Sequence, residues 1–138
     1  MRVLTKILLK DKQLIELQKI SFYDPFLEDE NFTNQWEQMK ENYKNETLDK
    51  ESRKNFLKYD VYTEMLFNFI RMSLDTFKSE KELLKYVDFK DWVRTHSTCW
   101  QKPLKEHSNR EVYLFLFRNF RTNCIFHCIL YILSALPC

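Results

Sequence analysis

The chain has 138 residues, 44% of them hydrophobic and 30% charged, enough for one domain with its own core. It contains no glycine, which excludes the P-loop, the dinucleotide fingerprint and the nucleophile elbow, and predicts a backbone without positive φ. Its 22 basic and 20 acidic residues leave a net charge of +2, too balanced for the broad footprint of a dedicated nucleic-acid binder.

The sign of the charge alternates along the chain, at +3 over residues 1–20, −5 over 21–91 and +4 over 92–138. In residues 1–20, Leu4, Ile7, Leu8, Leu14, Ile15 and Leu17 recur at helical spacing, with Lys6, Lys10, Lys12, Glu16 and Lys19 opposite them. This is the pattern of a basic amphipathic helix. Lys6 and Lys10 also break the apolar run before it reaches the length of a secretory signal, so Asn31-Phe32-Thr33 and Asn45-Glu46-Thr47 are chance matches to the glycosylation acceptor pattern. All four cysteines lie in the last 40 residues, unlike the disulfide framework of a small secreted domain. A cytoplasmic chain with reduced thiols is the expectation.

Asp24-Pro25 predicts a turn. A second helix is expected over residues 31–45, where Phe32, Trp36, Met39 and Tyr43 fall on one stripe. Residues 49–77 lack proline and keep a helical apolar repeat, predicting the longest and central helix. Ser79 with Glu82 matches a capping box that opens a short helix through Val87. Asp88 is placed to cap the next, with Trp92, Val93, His96, Cys99 and Trp100 inward, until Pro103 ends it. Ser108 with Glu111 matches a second capping box before a final apolar segment. The expected architecture is all-α: a single domain over 1–138, a bundle of five or six helices closed by a hydrophobic C-terminal helix.

The apolar tail, 124–138, has a 13-residue stretch from Cys124 to Leu136 with no charged residue and His127 within it. That is about 20 Å as a helix, short of the roughly 20 residues that span hydrocarbon. Such a helix suits a buried core, a protein partner or a second copy of the chain, or a seat at a membrane surface. Trp36, Trp92 and Trp100 are spaced as core rather than interleaved with cations as base-stacking platforms, and a nucleic-acid partner is not expected.

Two patterns of chemical residues compete with a purely structural reading. His96-x-x-Cys99 and Cys124-x-x-His127-Cys128 place soft ligands on helical faces that two facing helices could join around zinc. The metal candidates are therefore His96, Cys99, Cys124, His127 and Cys128, set against the frequent burial of free cysteine in cores. A nucleophilic Cys99 activated by His96 would lack an oxyanion hole and an orienting third group. Arg121 and His127, five residues apart, fit the Arg-x(4–6)-His spacing and so resemble the HEPN family of all-α ribonucleases. The resemblance implies that Arg121 stabilises phosphate charge and His127 acts as acid or base. His127 is flanked by Ile125, Phe126, Ile129 and Leu130, a setting that also suits a core histidine.

Asp24-Pro25-Phe26, Tyr59-Asp60-Val61-Tyr62 and Lys90-Asp91-Trp92-Val93-Arg94-Thr95-His96 together give residues 24–103 a resemblance to the helical cytosolic portions of uncharacterised bacterial membrane-associated proteins. No constellation combines a nucleophile, an acid or base and a charge stabiliser, and no cofactor is expected. The functional expectation is a non-catalytic helical interaction or adaptor protein, peripheral to a membrane in one version. The alternatives are the ribonuclease of Arg121 and His127 and the small zinc protein.

Overall fold

The computed structural model describes residues 3–120, with side chains from residue 11 onward. The chain is all-α: seven α-helices and three short 3₁₀ turns, with no strand, are found among the described residues. The helices are α1 (Val3–Tyr23), α2 (Glu30–Thr33), α3 (Trp36–Lys44), α4 (Lys50–Thr76), α5 (Glu80–Tyr86), α6 (Lys90–Trp100) and α7 (Arg110–Phe120). They gather in two compact units, Met1–Phe69 and Ile70–Cys138, and α4 contributes to both. No described helix is long and apolar enough to cross a membrane. The tail 124–138 lies outside the described residues.

In the first unit, α1 ends at the expected turn, where Pro25 opens a 3₁₀ turn (Pro25–Glu28) and contributes no amide donor that would need a partner. The stripe expected over 31–45 is present but divided. The Asp29 side chain caps α2 by accepting the Asn31 N–H at 2.9 Å, so the helix starts earlier than expected. It stops after one turn: the Asn34 N–H still makes the helical bond to the Glu30 carbonyl, but the Gln35 N–H turns to the Phe32 carbonyl, three residues back, at 3.1 Å. Two residues separate α2 from α3, and the aromatic stripe carries across the break. Trp36 stacks on Phe56 at 4.5 Å between centroids and tilts against Tyr59 at 4.6 Å, while Tyr43 stacks on the other side of Phe56.

The end of α3 corrects the expectation drawn from the missing glycine. Glu46 takes φ 58°, the left-handed conformation that glycine usually supplies at this point. Its N–H bonds the Tyr43 carbonyl at 3.2 Å, and the Thr47 N–H bonds the Asn42 carbonyl at 2.9 Å. This is the paired closure of a Schellman motif. The carbonyls at the helix end are satisfied at the cost of a strained glutamate. Asp49 then caps α4, accepting from the Ser52 N–H at 2.7 Å, and those bonds hold its carboxyl below the ordinary value.

The second unit is held by polar bonds as well as by rings. Ser79 caps α5 as the capping box predicts, accepting from the Glu82 N–H at 3.2 Å. Asp88 accepts the Lys90 N–H at the start of α6. The second expected box is displaced: Ser108 falls within a 3₁₀ turn (His107–Asn109), and α7 starts at Arg110. The chain enters that turn through an earlier one at Pro103–Lys105. Asn109 sits at the junction, 1% exposed, donating to the Pro103 carbonyl at 2.8 Å and accepting from Arg71. Phe89 and Phe115, with centroids 5.3 Å apart, centre the apolar packing with Phe120 beside them.

Candidate functional site

Among the residues expected to carry chemistry, the structure places two. His96 and Cys99 lie on α6, 0% and 3% exposed, and the His96 ring stacks on Trp100 at 5.2 Å and 14°. Both pack as core side chains, with the imidazole serving as a flat surface for the indole. Cys124, His127 and Cys128 lie outside the described residues, as do Arg121 and its HEPN-like partner His127. Among the described residues, no three His, Cys, Asp or Glu side chains gather as a metal site.

The first unit presents a different feature, a trough of about 560 Å³ between the end of α1, the Pro25–Glu28 turn and the first half of α4. Its floor is apolar: Ile20, Leu27, Leu57, Val61 and Met65. Leu57 is 43% and Val61 60% exposed, so the trough opens to solvent along one side and differs from a closed cavity. Its rim is basic, formed by Lys50, Arg53, Lys54 and Lys58.

Two side chains of α4 bond the wall opposite it. Lys58 reaches Asp24 with its Nζ 3.2 and 3.3 Å from the two carboxylate oxygens. Tyr62, 2% exposed, donates its hydroxyl to Glu28 at 2.6 Å. Burial first, then the Glu28 charge, push the Tyr62 hydroxyl well above the ordinary tyrosine value, so it keeps its proton at neutral pH. Asp24 is the trough's one acidic lining residue, and it is engaged by Lys58. The lining therefore holds a hydrogen-bonded phenol, a paired carboxylate and a row of cations.

The basic rim is costly to α4 itself. Lys50, Lys54 and Lys58 repeat at i, i+4, so like charges sit one turn apart on the same row, each such pair destabilising an isolated helix by about 0.2–0.5 kcal/mol. Lys50, Arg53 and Lys54 also crowd the N-terminal turns of the helix, where the macrodipole favours anions. Arg53 finds relief over the Tyr43 ring, 5.4 Å from its centroid, a contact of cation–π type. Among the described residues Lys50 and Lys54 enter no ion pair.

No protein-family model, no curated protein and no solved structure matches the chain.

Proposed function

We propose that the chain is a non-catalytic helical interaction module that binds a partner protein through the trough beside α4. The observation that carries this reading is the exposure of Leu57 and Val61 on the floor of a concave apolar surface with a charged rim. Apolar floors with polar rims are the anatomy of protein-binding grooves. The committed state of Tyr62 supports binding over catalysis, because its hydroxyl keeps its proton near neutral pH and donates a hydrogen bond to Glu28, while Asp24 is paired with Lys58. In the same reading the apolar sequence of the tail, Cys124 to Leu136, offers a second contact for a protein partner or another copy of the chain.

The test is selection of binders from a displayed library of helix-forming peptides against the full chain. The reading expects peptides with apolar residues at i, i+3, i+4 and i+7, whose binding weakens at least about tenfold in Val61→Arg. Val61 is 60% exposed, so that change leaves the core intact. Selected peptides that bind Val61→Arg as well as the parent, or no selected peptide at all, would refute the reading.

A further inference from the structure

We infer that the partner segment received by the trough is an acidic amphipathic helix, an inference that rests on the interaction reading above and adds the chemistry of the occupant. Charge complementarity is the first argument. Four cations line the trough against one carboxylate, and Asp24 is already paired with Lys58. Lys50 and Lys54 remain, in no ion pair among the described residues, on the exposed edge of α4. Residues 1–10 and 121–138 contain no Asp or Glu side chain that could complement them.

Helix energetics provide the second argument. A lysine row at i, i+4 in the first turns of a helix incurs neighbour repulsion and runs against the macrodipole. Glu51 and the Asp49 cap answer the macrodipole at the helix start and Lys58 is paired with Asp24, but Lys50 and Lys54 break the neighbour rule without an ion pair among the described residues, and local rules broken in this way mark functional surfaces. Carboxylates laid along Lys50 and Lys54 would relieve the repulsion between them.

Shape selects a helix among anionic occupants. From Lys50 to Met65 the groove runs along four turns of α4, about 22 Å, the length of a 15-residue helix. A single acyl chain in so open a trough would leave one side in water, whereas a helix brings an apolar stripe for Leu57 and Val61 and its own polar face for solvent. Single-stranded nucleic acid needs exposed rings for stacking. The one ring of the lining, Tyr62, is buried and bonded to Glu28.

The experiment titrates the full chain into two labelled 15-residue helical peptides with the same leucine stripe, one flanked by glutamates and the other by lysines. At low salt the acidic peptide should bind at least about tenfold tighter, and that ratio should fall toward about twofold in 0.5 M salt as the charges are screened. Lys50→Glu with Lys54→Glu, both at exposed positions, should invert the preference, and Val61→Arg should weaken the acidic peptide by about tenfold or more. Equal affinity for both peptides, still lost in Val61→Arg, would overturn the acidic assignment and leave the interaction module standing. Binding of neither peptide would overturn both. Phosphatidylglycerol vesicles or polyuridylate bound through Lys50 and Lys54 in preference to the acidic peptide would also overturn it. So would self-association abolished by Val61→Arg, which would make a second copy the occupant.

Discussion

Glu46→Gly should make the protein more stable, although it introduces the first glycine into the chain. Glu46 holds φ 58° at the end of α3, and its side chain is exposed. A Cβ in the left-handed region costs roughly 1–2 kcal/mol. Glycine removes that cost but loses about 0.5–1 kcal/mol more conformational entropy on folding. Removing a negative charge beside the C-terminal turn adds a few tenths of a kcal/mol. The net expectation is a gain of about 0.5–1 kcal/mol. Glu46→Gln isolates the charge, Glu46→Asn should fall between glutamine and glycine because asparagine tolerates this region, and Glu46→Val should lose about 1 kcal/mol or more. Urea unfolding followed by circular dichroism and by tryptophan fluorescence reads the series, and coincident transitions license the free energies. Stability ranked Gly, Asn, Gln, Val supports the strained Schellman closure. A glycine variant no more stable than the glutamine control, or a valine variant as stable as the parent, would refute it.

Trp36→Ala should cost about 3–5 kcal/mol, because a 6% exposed indole stacked on Phe56 is replaced by a cavity; a loss under about 1 kcal/mol in urea unfolding would contradict its place in the core. Asn109→Ala should cost about 2–4 kcal/mol by freeing the Pro103 carbonyl and the Arg71 guanidinium; in a double-mutant cycle with Arg71→Ala, zero coupling would disprove the bridge. Glu80 accepts from Arg118, with Nε at 3.3 Å and a second bond from Nη2, and from the Asn119 amide at 2.9 Å. The Arg118 bond, above all, holds its carboxyl below the ordinary 4.5. A carboxyl depressed in the folded state contributes stability above the unfolded value and loses it as pH falls through the folded one. The advantage of the parent over Glu80→Gln should therefore be complete above about pH 5.5 and shrink toward pH 3, and a difference constant over that range would show the pairing to be energetically idle. The exposed setting of the pair limits the effect to about 1 kcal/mol or less.

Much of the helical layout follows from local rules that act within a few residues. The run from 49 to 77 forms α4 because nothing in it breaks a helix and its apolar residues repeat on one side. Pro25, Asp88 and Ser79 mark starts because each acts on amides beside it. The departures arise where two local options compete. The Gln35 N–H closes α2 on the Phe32 carbonyl, although the aromatic stripe continues into α3. Ser108 has the spacing of a cap, but Asn109 is tied by its side chain to Pro103 and Arg71, and that tie belongs to a 3₁₀ turn. The missing glycine misled for a related reason: absence of the best residue for a left-handed closure does not abolish the closure when two backbone bonds reward it.

The trough was hidden from the sequence by a longer-range dependence. Lys50, Lys54 and Lys58 are plain in the chain as a row, and such a row ordinarily denotes a solvated helix face. The side of α4 that meets the Pro25–Glu28 turn is tied to it by bonds between residues 34 positions apart, Lys58 to Asp24 and Tyr62 to Glu28. Periodicity encodes the direction of each residue on its own helix but not the neighbour it meets. With those two bonds in place, Leu27 is sealed at 1% exposure while Leu57 and Val61, one and two turns along the same helix from Lys54, stay open. The lysine row then borders an apolar floor, and the surface acquires the two properties, concavity and unbalanced charge, that neither the row nor the leucines possess alone.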